Sequence, residues 1–280
     1  MQQVAIIGAG ELGGGVAHVL ARRDVARSIL LIDDTGRVAA GKALDIAQGA
    51  PVERFATQLS GSTDIATAAG AAVVIVADRV GGGEWAADEG LLLLKRLTQT
   101  APRTVIVCAG ASHRELVERG VRDLRMDRAG LFGSAPEALA AGARALVALA
   151  TNRSPRDVAL SVLGVPPSRI VIPWEDVTIG GAALTRQMDE PSRRRLAARI
   201  AALWPPGPYA LASAAAAAVE AMAGRSRRIV ICFVAPDMTA GIRTRTAALP
   251  VRFGPSGIAE VMMPALSVVE QVALDNAMML

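Results

Sequence analysis

The chain has 280 residues, of which 52% are hydrophobic and 20% charged, with a formal net charge of +4. This describes a globular chain with one large core or two modest domains, and it excludes a disordered one. Aromatics are only 3% and the arginines are scattered outside "PSRRRLAARI" and "GRSRRIV", so the chain lacks the basic, aromatic-lined face that would make nucleic acid an expected partner.

The N-terminus enters an apolar run at once, so no signal peptide is expected. No apolar stretch of about 20 residues free of charge and turn signals suggests a membrane span. Cys108 and Cys232 lie in "TVIVCAG" and "RIVICFV". Buried strand thiols of this kind point to a reducing, cytoplasmic compartment rather than a disulfide framework. Two cysteines and two histidines at unrelated spacings make no zinc set, and no metal is expected.

In chain order, "QVAIIG", "SILLID", "AAVVIVAD" and "RTVIVCAG" are β-rich runs of the kind buried in a parallel sheet. Helical patterns at 11–23, 37–48, 84–100 and 112–120 alternate with them. The order predicts an α/β fold, with an N-terminal Rossmann-type, doubly wound parallel sheet. From residue 130 the character changes. "SAPEALAAGARALVALATN", "DEPSRRRLAARIAALW" and "PYALASAAAAAVEAMAG" read as helices, and residues 258–280 as an apolar-striped final helix. "DVALSVLG", "RIVIPW", "VTIGG", "RRIVICFVAP" and "LPVRFG" read as strands. The alanine run suggests helix surface and close packing, with biased composition as the simpler account. The expected organisation is a dinucleotide-binding domain over 1–129 and an α+β domain over 130–280.

"VAIIGAGELGGG" carries the first chemistry. Gly8, Gly10 and Gly13, with Glu11 and Leu12 between the last two, form G-x-G-x-x-G between a strand and a helix. The first glycine permits the tight turn, the second lets backbone approach a pyrophosphate, and the third lets helix and strand pack. Asp33 ends the second strand about 20 residues on, where an acid holds a ribose hydroxyl. An acid there repels a 2′-phosphate, so NAD is the expected cofactor, and Asp34 reinforces the choice. The alternative is a tight turn with no ligand.

These residues, with "LLIDDTGRVAAGKALDIAQGAPVE" after them, resemble the opening of the lactate/malate dehydrogenases, closest to the lactate dehydrogenase-like malate dehydrogenases. The likeness continues through "GSTDIATAAGAAVVIV" and returns in "ALPVRFGPSGIAEVMMPALSVVEQVALDNA". The resemblance implies a lactate/malate dehydrogenase-like C-terminal domain and subunit pairing through "AAGKALDIAQGAP". A homodimer or homotetramer is therefore expected, with Ala39, Ala40, Gly41, Ala43, Ala47 and Gly49 allowing close approach.

The family's reaction implies a histidine that takes the hydroxyl proton, an aspartate that orients it, and an arginine that clamps the substrate carboxylate. It also implies loop arginines and an asparagine beside the nicotinamide. At the matching positions this chain has Pro166 for the histidine, Gly133 for the aspartate and Pro136 for the clamping arginine. Gly82 and Asp88 stand for the loop arginines, and Gly110 and Ala111 for the asparagine and the proline after it. No histidine follows residue 113. The resemblance therefore retains the phosphate half of the site and loses the catalytic half, making malate or lactate turnover implausible. The proline pairs in "VPPSR" and "WPPGPY" suggest a filled or reshaped cavity.

A rebuilt site is the second reading. His113 follows the fourth of these strands, and Asp78 and Arg79 end the third; with Ser112 and Arg114 they would make a polar cluster at the nicotinamide end. The structural alternative makes Ser112 an N-cap with Glu115 completing a capping box. His18 reads as a packed or half-exposed helix position. No G-x-S-x-G supports a hydrolase. Two functions remain: an NAD-binding, dehydrogenase-like protein with a structural or redox-sensing role, or an oxidoreductase acting on another small substrate through His113.

Overall fold

The computed structural model describes residues 1–237 and 245–279. Strand β1 (Gln3–Ile7) leads into α1 (Glu11–Arg22), and β2 (Ser28–Ile32) into α2 (Gly36–Gln48) and a single turn, α3 (Ala50–Glu53). After β3 (Gln58–Ser62) and β4 (Val73–Val76) comes a hairpin of two-residue strands, β5 (Asp78–Arg79) and β6 (Gly83–Glu84). Then follow α4 (Ala87–Thr100), β7 (Val105–Cys108), α5 (Arg114–Leu124), β8 (Leu131–Gly133) and α6 (Ala135–Thr151).

These strands pair in parallel in the order β3-β2-β1-β4-β7-β8, the doubly wound arrangement of a Rossmann fold. The reason is in the residues: Val4–Ile7, Val73–Val76 and Val105–Cys108 are buried throughout, as strands covered on both faces must be. Two apolar clusters divide between the faces of the sheet.

The second half adds β9 (Val158–Ala159), β10 (Leu163–Val165), β11 (Arg169–Val171), β12 (Thr178–Ile179) and β13 (Ala182–Ala183). Then come α7 (Glu190–Ala201), α8 (Pro208–Met222), β14 (Val230–Val234), β15 (Ala247–Gly254), β16 (Gly257–Val261) and α9 (Val268–Met278). β14 joins β8 antiparallel, and β15, β10 and β11 continue from it. One eleven-stranded sheet thus runs across residue 130.

Four expectations change. The predicted final helix over 258–280 is too long: residues 257–261 are β16, paired with β15. Pro264 lies between this strand and the helix. α9 starts at a capping box, where Ser267 Oγ accepts from Glu270 N–H and the Glu270 carboxylate accepts from Ser267 N–H. Residue 280 lies outside the described residues. The helix expected from 84 begins at 87, because Gly81 and Gly83 at positive φ turn the chain into the β5–β6 hairpin. Strand β3, "QLSGS", was not expected at all; it is a half-polar edge strand without an apolar run to reveal it. Finally, the alanine run serves the close packing expected of it but is not helix surface. Ala214–Ala218 on α8 are all buried. A Cβ added at Gly15 would come within 3.2 Å of Ala212 Cβ, so small residues on both sides let α8 press against α1.

Candidate functional site

The glycine turn is shaped as the spacing demands, but its occupant belongs to the chain. Gly8 has φ +105°, and a Cβ there would fall 2.3 Å from the Asp78 carbonyl oxygen. At Gly13 a Cβ would lie 2.0 Å from the Gly8 carbonyl oxygen, so this glycine does serve close helix–strand packing. At Gly10 a Cβ would fall 2.3 Å from Asp78 Cγ.

The Asp78 carboxylate accepts from Gly13 N–H at 2.9 Å and from Leu12 N–H at 3.2 Å. Gly10 N–H donates to the Asp78 carbonyl at 2.9 Å, and Lys42 Nζ donates to the Gly10 carbonyl at 2.6 Å. The free N–H groups that a helix start offers an anion are thus aimed at a carboxylate of the hairpin. Glu11 beside them is exposed.

Asp33 is buried and engaged on both oxygens. One accepts from Ala9 N–H at 2.9 Å and Val80 N–H at 3.1 Å, the other from Thr35 N–H at 2.9 Å. Burial raises its pKa, but the N–H groups of Ala9, Thr35 and Val80 outweigh burial and hold it below the usual aspartate value. Tested against a dinucleotide, the turn has the right backbone and the right acid. With Asp78 in place, however, its N–H donors do not admit a pyrophosphate.

The turn after β7 is filled in its own way. A Cβ at Gly110 would meet the Glu84 carboxyl at 2.4 Å and His113 Cε1 at 2.8 Å. The Glu84 carboxylate accepts from Ala111 N–H at 2.8 Å, Ser112 N–H at 2.7 Å and the Ser112 hydroxyl. Burial raises its pKa, but the Ser112 hydroxyl, His113 and these N–H groups together pull it below the usual glutamate value.

The Ser112–Glu115 capping box does not form. The N-cap of α5 is His113, which gives no side-chain cap, and Glu84 satisfies the N–H groups from across the hairpin.

The structure gathers Asp78, Glu84 and His113 into one neighbourhood. His113 is nevertheless fully buried, and its Nδ1 accepts from Gly110 N–H at 3.0 Å. Its Nε2 is enclosed with no partner of ordinary hydrogen-bond geometry. Burial lowers its pKa to about 4, although Glu84, the Trp85 backbone and Asp78 oppose the shift. The ring is therefore neutral near pH 7.

Arg79 serves the hairpin. It pairs with Glu89 at 3.0 Å and lies over the Trp85 ring, 4.6 Å from its centroid. Arg114 pairs with Glu118 at 3.2 Å. His18 is exposed on α1, in a cleft of about 590 Å³ with Glu11, Lys42, Asp45, Ile46 and Tyr209. Asp88 pairs in solvent with Arg119 at 2.8 Å.

At Gly133 a Cβ would fall 3.0 Å from the Phe233 ring, and that ring stands edge-on to Trp204 with centroids 5.9 Å apart. Pro136 is buried in the first turn of α6, and Pro166 is buried in the β10–β11 turn. Next to Pro136, buried Glu137 pairs with Arg144 and accepts from Ile231 N–H at 2.9 Å, tying α6 to β14. Glu84, Glu137 and Phe233 were not foreseen. The one available signal was the "GGGEW" hairpin, which could have placed Glu84 opposite the strand ends. Among the described residues, no three His, Cys, Asp or Glu side chains gather to hold a metal.

Residues 2–82 match the family model described as the lactate/malate dehydrogenase NAD binding domain. The malate dehydrogenase of Thioalkalivibrio sulfidiphilus is 27% identical over 99% of this chain and 96% of its own length. That of Syntrophotalea carbinolica is 43% identical over 74 residues, 26% of this chain and 23% of its own. Among solved structures, malate dehydrogenase from Salinibacter ruber superposes with a TM-score of 0.88 at 22% identity, covering 99% of this chain and 94% of that one.

Proposed function

The chain belongs to the lactate/malate dehydrogenase family, and we propose that it is a member that binds NAD(H) without turning over malate or lactate. Its role in this reading is that of a cytoplasmic structural or redox-sensing subunit that forms homo-oligomers. NAD enters through residues 2–82, the segment matching the family's NAD binding domain. When bound, NAD supplies a hydride acceptor or donor. What this chain's own residues would contribute is the cradle: the N–H groups at the start of α1, once the Asp78 carboxylate leaves them, and Asp33 on the ribose side.

One observation carries the loss of chemistry. Proton transfer to a 2-oxo acid needs a donor within reach whose pKa lies near the working pH. Only two histidines exist: His18 is exposed on α1, in a cleft with Lys42 and Tyr209, and His113 is sealed and held neutral by burial. The same burial argues against the second reading, in which His113 leads a rebuilt site. The filled side of Gly133 and the buried prolines at 136 and 166 agree with this.

The test is a calorimetric titration with NAD and NADH, followed by a screen of 2-oxo and 2-hydroxy acids. The expected result is heat of binding at millimolar dinucleotide and no turnover of malate or lactate above background. Turnover within about 1–10³ s⁻¹, the ordinary enzyme range, would overturn the inactive reading. An absence of binding heat would overturn the dinucleotide reading. Activity on another substrate that His113→Ala abolishes would restore the second.

A further inference from the structure

We infer that Asp78 is a self-supplied anion in the phosphate cradle, and that a ligand carrying a pyrophosphate binds only by displacing its carboxylate. The inference rests on the dinucleotide reading above and concerns how that site is controlled. Three observations carry it.

First, the carboxylate takes both N–H groups, of Leu12 and Gly13, at 3.2 and 2.9 Å. These are the donors that a bound phosphate would need, and two anions cannot share them. Second, the space beside Gly10 is already used. Gly10 has φ −67° and ψ −157°, a region open to any residue, so its backbone does not require glycine. What requires glycine is the Asp78 carboxyl, 2.3 Å from where a Cβ would stand. Third, the plug is built in. Gly10 N–H binds the Asp78 carbonyl at 2.9 Å, and a Cβ at Gly8 would meet that same carbonyl. Residue 78 is therefore fixed by its backbone against the turn, while its side chain alone reaches the donors. Opening the cradle requires a side-chain rotation and no movement of β4 or α1.

The chemistry predicts direction. A phosphate oxygen can replace a carboxylate oxygen on the same N–H groups, so the hydrogen bonds exchange nearly one for one. The displaced carboxylate then remains close to the incoming phosphates, and like charges at short range repel. Asp78 thus weakens any phosphate-bearing ligand while leaving a bare nucleoside unaffected.

The experiment compares wild type, Asp78→Ala and Asp78→Asn by calorimetry with NAD, ADP and adenosine, after circular dichroism has checked folding. Asp78→Asn keeps the size and an acceptor oxygen, and so carries the test if the alanine variant fails to fold. The expected result is at least about ten-fold tighter NAD and ADP binding to Asp78→Ala, about 1.4 kcal/mol. Asp78→Asn should show a smaller gain, and adenosine no change. A wild type that binds no NAD while a variant does would also support the plug, although it would count against the dinucleotide reading for the natural chain. Equal NAD affinity in all three proteins would overturn the plug and leave the dinucleotide reading standing. No NAD binding by any of them at millimolar concentration would overturn both.

Discussion

Beside Gly10 the chain places the carboxylate of Asp78; beside Gly133 it places the ring of Phe233. Both fill space next to a glycine at the carboxyl end of a strand of the sheet, but with opposite chemistry. The polar filling leaves donors behind that water or a phosphate can satisfy once the carboxylate moves away. The apolar filling leaves nothing behind: Phe233 is fully buried and meets Trp204 edge-on, so vacating it opens a void. A hydrogen-bonded filling can thus be exchanged for another polar group, whereas a packed ring cannot leave without opening a cavity.

The largest expected effect tests the apolar end. Phe233→Ala removes a fully buried ring and should cost about 3–5 kcal/mol, read as a lower midpoint of urea unfolding. On the proposed inactive reading it brings no turnover of malate or lactate. A loss below about 1 kcal/mol would mean that the region collapses readily and that the ring is not what closes it.

The next effect belongs to His113, between the two ends. Its folded pKa, about 4, lies below the unfolded value of 6.5. Between these values the unfolded chain holds a proton that the folded chain does not. Stability should therefore fall as pH drops from 6.5 to about 4, by on the order of 3 kcal/mol. Glu84 and Asp33 have lowered pKa values; their contributions are present above the ordinary carboxylate range and are lost at more acid pH, below most of this window. In His113→Gln the slope between pH 6.5 and 5 should flatten, whatever the variant's absolute stability. An unchanged slope would mean that His113 is protonated in the fold.

A smaller effect tests the polar end. Gly10→Ala forces a methyl group onto the Asp78 carboxyl and should cost about 1–3 kcal/mol. Asp78→Ala alone should cost about 1 kcal/mol, as the loss of a helix cap does. Together they should cost less than the sum, with a coupling of about 1–2 kcal/mol. Additive losses would mean that Gly10 is kept for a reason other than Asp78.

How much of this was legible in the sequence divides along the same line. Continuous apolar runs such as "VVIV" and "VIVC" make buried parallel strands recognisable, and the glycine spacing locates the turn. The resemblance places Gly133, Pro136 and Pro166 where the family's reaction implies catalytic side chains. What replaces those side chains was not legible, because the replacements come from afar in sequence. Phe233 reaches Gly133 across 100 residues, and Glu84 reaches Gly110 across 26. Local pattern carries no information on such pairs. Asp78 was read as a possible catalytic group because strand ends usually face ligands; its backbone contact with Gly8 and Gly10 depends on a three-glycine hairpin whose path only the fold reveals. Close packing of the alanine run was legible, but not which faces it packs: identical residues face α1, α6 and β15, and no periodicity marks any one of them.

The smallest expected effect is a null one, and it separates missing charge from missing space. If the chain lacked turnover only because its loop has lost arginines, restoring one should recover some activity. By the resemblance Asp88 stands at such a position; it is largely exposed and pairs with Arg119. Asp88→Arg should leave the protein folded, since exposed ion pairs contribute little to stability. It should also leave malate and lactate untouched. A guanidinium on this loop can polarise a carbonyl, but hydride transfer still needs a proton donor and a second cation for the carboxylate. Buried Pro136 and Pro166 supply neither, and the side of Gly133 is taken by Phe233. Oxidation of malate by NAD above background in Asp88→Arg would show that the substrate end is open after all, and that the difference between the two ends is one of charge rather than of packing.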